Sequence, residues 1–247
     1  MTKEIDVIIL SNAYTDELRK VTEDCLRSLL ESESPQEIFF NVMLIESHKS
    51  APKYDFAQTK TIYPKASFGY HKFMNIGIKQ TQSPYVCIAN NDLLFHKGWA
   101  SAILKAFDSD PQLQSACPVC PVHHPTLDIY PFSGIRKGYE VRYEVAGWCI
   151  LFERSILKTI GKLDEGFKFW FADNDYANTL QKYGIQHALV TDSVVEHLES
   201  RTLLTKDEKD QLMLTQGERF YFEYKWGERS WLSYINRERK KFFKKLF

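Results

Sequence analysis

The sequence predicts an α/β fold: one domain with a mostly parallel central sheet flanked by helices, followed by a helical C-terminal extension. Three observations carry this expectation. Short apolar, β-branched runs alternate with longer segments of helical period through the first half of the chain. Those runs are apolar on both faces, as strands covered by helices on either side must be. No internal repeat and no clear linker divides the sequence, and 247 residues that are 44% hydrophobic and 14% aromatic suffice for one large core. The domain is expected over residues 1–204 and the extension over 205–247.

EIDVIIL (4–10) reads as a buried strand. TDELRKVTEDCLRSLLES (15–32) opens on a Thr with early acids and places Leu18, Cys25, Leu26, Leu29 and Leu30 on one helical face. FFNVMLIES (39–47) is a second strand, KTIYP (60–64) a short third, YHKFMNIGIKQTQ (70–82) a helix and PYVCIAN (84–90) a fourth strand. Residues 123–140, punctuated by Pro and Gly, read as a loop long enough to be functional. EVAGWCILFERSILKTIG (144–161) reads as a strand entering a helix closed by Gly161, and 163–184 as an aromatic, acidic loop followed by a helix ending at Gly184. A short strand within 186–200 carries His197, and 205–246 is expected to be mostly helical.

The N-terminal apolar stretch is too brief for a secretory signal and no apolar run approaches the roughly 18 residues of a membrane span, so the expectation is a cytosolic chain without a transmembrane segment. Five cysteines, odd in number and set in apolar patterns, suit buried thiols. Cys117, Cys120, His123 and His124 have zinc-ligand types, but no second pair accompanies them and the prolines favour an extended segment. Net charge is zero, yet residues 236–247 hold six Lys or Arg and one Glu, which leaves −5 for the first 235. Trp231, Ile235, Phe242 and Leu246 follow helical spacing among those cations. Such a tail suits peripheral contact with an anionic membrane or a nucleic-acid backbone, and equally a solvated charged end.

In open α/β sheets ligands bind beyond the carboxyl ends of the strands. Here those ends offer Ser11 and Asn12, then Glu46 and Ser47, then Asn90, Asn91 and Asp92. Four blocks in order, DVIILSNAY, SFGYHKFMNIGIKQTQSPYVCIANNDLLF (67–95), GWCILFERSILKTIGKLDEGFKFWFADNDYANTLQKYG (147–184) and His197, followed by YFEYKWG (221–227), resemble the family 2 glycosyltransferases, inverting enzymes of the GT-A fold.

The resemblance implies a GT-A-like domain and assigns roles residue by residue. Asn90, Asn91 and Asp92 fall at the family's Asp-x-Asp element, with Asn90 replacing the first acid. Asp92 and His197 would hold a divalent metal, Mn or Mg, against the leaving diphosphate. Alone, Asn-Asn-Asp is also the composition of a strand-ending turn. ADNDY (172–176) falls at the Glu-Asp-x-Asp element, with Ala172 replacing Glu and Asp173 the implied general base. Donor binding is implied for Ser11, Asn12, Glu46, Gly69, Asn75, Asn90 and Asn91, and acceptor binding for Trp148, Trp170 and Asp175. Asp175 also suits a role at the helix N-terminus or opposite a nearby Lys or Arg. Trp148, Trp170, Phe169 and Phe171 suit a sugar platform or plain packing.

The leading expectation is transfer of a sugar from a nucleoside diphosphate sugar, a uridine diphosphate sugar above others, to a lipid-linked glycan at the cytosolic membrane face. A bacteriophage-type transfer to a hydroxymethylated DNA base competes, although it requires base flipping and the chain is neutral overall. A nucleotidyltransferase would want a glycine-rich phosphate loop after the first strand, and LSNAYTDELRK has no glycine. A non-catalytic sugar-nucleotide or glycan binding module is the third class, suggested by the acids missing at Asn90 and Ala172.

Overall fold

A computed structural model describes residues 2–198 and 218–236. The chain opens with β1 (Lys3–Ser11), buried on both faces from Ile5 onward. Helix α1 (Asp16–Glu31) starts where the Thr15 hydroxyl accepts the Leu18 N–H, as its acid-rich first turn predicts. There follow β2 (Ile38–Glu46), β3 (Thr59–Ile62), α2 (Tyr70–Lys79), β4 (Tyr85–Ala89) and a three-residue β5 (Leu93–Phe95).

Helix α3 (Trp99–Ser109) is entered through Gly98 at φ 80°, a left-handed conformation that glycine adopts without strain. Its first turn is capped from a distance, the Glu33 carboxylate accepting the N–H groups of Ala100 and Ser101. Next come β6 (Leu113–Val119), β7 (Ile135–Lys137) inside the expected loop, β8 (Cys149–Glu153), the short α4 (Leu157–Ile160) and α5 (Ala172–Tyr183), which ends on left-handed Gly184. The strand expected to be short, β9 (Gln186–His197), runs for 12 residues because partners flank it on both edges.

Among the described residues nine strands form one sheet in the order β3-β2-β1-β4-β8-β6-β9-β5, with β7 also on β9. The expected parallel pairing holds across β3, β2, β1 and β4; β8 then enters antiparallel, and only β6 with β9 is parallel beyond it. On one face Ile5, Val7 and Ile9 meet Leu26, Leu29, Trp99 and Ile103 of α1 and α3. On the other, Ile8 meets Phe73 and Met74 of α2, in one cluster with Tyr176 and Leu180 of α5. All five thiols are free and buried.

The register places the candidate residues. Ser11 pairs with Glu46 and Ile9 with Ala89, so three strands open on one edge. The antiparallel β8 brings its beginning to the same edge, Cys149 opposite Ala89, and β9 delivers His197 beside Leu93. Of the expected extension, residues 218–225 and 231–236 are helical. The basic tail from 237 and the expected helix over 205–217 lie outside the described residues. No described helix is long and apolar enough to cross a membrane.

Candidate active site

Ser11, Glu46 and Asn91 meet in one hydrogen-bond network at the edge where β1 and β2 end. The Ser11 hydroxyl lies 3.1 Å from Thr22 Oγ1 and 3.2 Å from the Tyr54 hydroxyl, and Asn91 Nδ2 donates to Thr22 Oγ1 at 2.8 Å. Glu46 Oε1 accepts the N–H groups of Ala13 and His48, and Oε2 accepts from Tyr54. Glu46, expected among the donor-binding residues, is fully buried and ties the loops after β1 and β2 together through the two backbone N–H groups its carboxylate accepts. Arg19 fixes the next stretch, lying 4.2 Å from the Tyr54 ring centroid and donating to the carbonyls of Pro52 and Lys53. Asn12 is the exposed member of this end.

At the end of β4 the Asn90 N–H bonds the Trp148 carbonyl, so the polar turn is tied to the entry of β8. Asp92 Oδ1 and His197 Nε2 face one another 3.4 Å apart. Both atoms are buried without a hydrogen-bond partner. The imidazole is held by Trp148, whose ring stacks on it at 5.6 Å and 16°, and the Leu198 N–H closes on the Asp92 carbonyl. Two ligands each about 2.1 Å from one divalent ion sit roughly 3 to 3.4 Å apart, so an orphaned carboxylate oxygen and imidazole nitrogen at this spacing fit a shared cation. No group of three or more His, Cys, Asp or Glu that would hold a metal gathers among the described residues. Two ligands leave the rest of such an ion's coordination to water or to anionic oxygens from a bound molecule.

Asp173 lies on the first turn of α5, entered through Phe171 at φ 60°. Burial pushes its carboxyl above the usual carboxylate range, opposed by the Asn174 N–H that Oδ1 accepts at 2.9 Å. Gly147 lies against it: a Cβ there would stand 2.8 Å from Asp173 Cβ. The Gly147 carbonyl accepts the Tyr70 hydroxyl at 3.0 Å, and that phenol, pushed up mainly by burial, feels the charges of both Asp173 and Asp92. The Gly147–Trp148 turn thus has Asp173 against its glycine and the Asp92–His197 pair against its tryptophan.

Asp175, expected either at an acceptor or opposite a nearby Lys or Arg, is buried, bonded to Trp226 Nε1 at 3.0 Å and paired with Lys225 at 2.6 Å, since a buried carboxylate takes the cation within reach. Asn75 is spent on structure, exchanging hydrogen bonds with the backbone of Leu163 and donating to Glu165. Gly69 caps α2 in ordinary extended backbone at φ −170° and shows no close approach that demands glycine. Trp148 has its face on His197 and an edge contact with His124, while Trp170 packs edge-to-face on Phe169. Thr22, Tyr54, Tyr70 and Gly147 were not expected from the sequence. Each owes its place to a contact with another segment, and only Tyr70 and Gly147 lay inside recognised blocks.

Neither a known family model nor a curated protein matches the chain in sequence. Solved structures match its fold. S. aureus TarS 1–349 is 14% identical with TM-score 0.60, over 78% of this chain and 59% of that one. The mannosyltransferase PcManGT from Pyrobaculum calidifontis, in complex with GDP-Man and Mn2+, is 14% identical with TM-score 0.59, over 82% and 59%. GalNAc-T7 with UDP, GalNAc and Mn2+ is 13% identical with TM-score 0.60, over 79% and 44%. This chain therefore spans less than two thirds of the length of each. In its nine-stranded sheet flanked by helices, the chain has the α/β fold of GT-A glycosyltransferase structures.

Proposed function

We propose that the chain transfers a sugar from a nucleoside diphosphate sugar to an acceptor hydroxyl, with inversion, in a single displacement. The observation that carries this is the arrangement around the Gly147–Trp148 turn: a half-buried carboxylate, Asp173, against Gly147 and, against Trp148, the imidazole of the unpaired Asp92–His197 pair. An exposed Asn12 and the backbone of the tied loops after β1 and β2 offer donors and acceptors to the nucleoside. Asn90 and Asn91 lie where the diphosphate would follow. Asp92 and His197 would hold a Mn or Mg ion, which supplies positive charge to the departing diphosphate.

Asp173 takes the proton from the acceptor hydroxyl as its oxygen bonds to the anomeric carbon. The bond to the diphosphate breaks on the opposite face, and the sugar configuration inverts. A carboxylate whose proton affinity is raised by burial is better matched to this task than an ordinary surface Asp. Uridine diphosphate sugars come first among donors on the resemblance to family 2; guanosine diphosphate sugars join the test because a structural neighbour was solved with GDP-Man. A cytosolic, lipid-linked glycan is the proposed acceptor class.

The test uses labelled UDP- and GDP-sugars with glycan acceptors, with Mn2+ or with chelator. Transfer by the wild type should fall about 10²- to 10⁴-fold in Asp173→Asn. Mn2+ should raise the melting temperature of the wild type and not of His197→Ala. Equal turnover in wild type and Asp173→Asn would remove the base, and donor binding without transfer would make the chain a binding module.

A further inference from the structure

The segment that begins at Glu218 reaches back to the loop that leads to Asp173. Glu218, 6% exposed, accepts the N–H groups of Phe169 and Trp170 on one oxygen, Oε2, at 2.9 and 2.7 Å. These two amides immediately precede Phe171, whose left-handed φ of 60° turns the chain into α5 without any side-chain cap. One helical turn and more further along, Lys225 Nζ lies 2.7 Å from Asp164 Oδ2 and 2.6 Å from Asp175 Oδ1, joining the start of the loop to the first turn of α5. Tyr221 donates to the same Asp164 oxygen at 3.0 Å, and Trp226 to Asp175. Aromatic contacts close the seam: Phe167 on Tyr221 at 5.0 Å and Phe171 on Phe222 at 5.4 Å. Gly166 admits the Tyr221 ring, since a Cβ there would stand 2.4 Å from Tyr221 Cε1.

We propose that residues 218–226 form a clasp that holds loop 163–171 and the first turn of α5, with Glu218 and Lys225 as positioning residues for Asp173. The proposal rests on the reading of Asp173 as the base. Neither residue touches the Gly147–Trp148 turn; both act through the backbone that carries the base. Lys225 is the stronger of the two because it neutralises the buried Asp175 and the half-buried Asp164 at once, and without it the two carboxylates repel across the seam and the loop opens. Glu218 supplies what α5 lacks at its own beginning, an acceptor for the orphan amides that lead into it.

The test uses the full chain with Glu218→Ala, Lys225→Met and Lys225→Arg. Amide exchange at Phe169 and Trp170 should quicken at least about tenfold in Glu218→Ala, a readout independent of transfer. In transfer assays Lys225→Met should lower kcat about 10²-fold, the cost of misplacing a catalytic group by about 1 Å, with donor KM and the donor-induced melting shift kept near wild type. Lys225→Arg, which keeps a cation between the carboxylates, should recover most of kcat. Unchanged exchange, or a kcat loss in Lys225→Met matched by an equal loss of donor binding, would overturn the clasp. Quickened exchange in a chain whose wild type transfers no sugar would uphold the clasp and sink the transferase reading instead.

Discussion

Gly147→Ala gives the sharpest test of the proposed role of Asp173 as the base. The added methyl would stand 2.8 Å from Asp173 Cβ, 3.3 Å from Cγ and 3.1 Å from Oδ2. Carbon atoms pack best at about 3.5 to 4.0 Å, so the aspartate side chain must retreat by roughly 1 Å. Gly147 is outside the left-handed region, so the effect is purely steric. Retreat along the chain is resisted because Asp175, two residues on, is held by Lys225 and Trp226. A misplacement of about 1 Å costs on the order of 10²-fold in kcat, or about 2.7 kcal/mol of barrier, while overpacking costs about 1 to 3 kcal/mol of stability. Gly77→Ala is the matched control: its Cβ would stand 2.4 Å from Ile8 Cγ2, a similar clash in the α2–β1 core. Initial rates of donor consumption, measured well below both melting temperatures, should fall in Gly147→Ala and persist in Gly77→Ala. The reasoning is refuted if Gly147→Ala keeps wild-type kcat, or if both variants lose it alike.

Two further outcomes follow from buried charge. Asp6, fully buried, pairs with Arg154 Nη2 and also accepts from Ser83 and Asn41; Arg154→Met should cost about 3 to 5 kcal/mol in urea denaturation, toward the lower figure because those neutral donors remain, and a loss below about 1 kcal/mol would contradict the pairing. Because burial raises the Asp173 carboxyl in the folded state, the fold holds its proton more tightly than the unfolded chain, and stability falls as pH rises through the folded value. Asp173→Asn should therefore melt higher than wild type at neutral pH, the advantage vanishing below about pH 3.9, the ordinary Asp value; a variant that melts lower at neutral pH would show that the carboxylate stabilises the fold.

Local pattern was enough to locate most elements of the first half. The run EIDVIIL, the Thr15 cap and the glycines at 161 and 184 each report burial or backbone conformation at their own position, and each marks an element boundary within a few residues. The same reading led to the polar strand ends at Ser11, Glu46 and Asn90. It did not show the antiparallel entry of β8, because a strand apolar on both faces fits either direction. Resemblance named Asp92, His197 and Asp173 together, but the contacts of Asp173 with Gly147 and of His197 with Trp148 depend on strand order.

The sequence by itself determined most of the strands and helices up to residue 90, since periodicity and caps are encoded within a few residues, and left β5, α3, β6 and β7 unread. Tertiary structure alone decided that Glu46 binds loops, that Asp175 answers to Lys225, and that Asp92 meets His197 unpaired. Each is a contact between segments far apart in the chain, set by sheet register and by which buried charge finds a partner first.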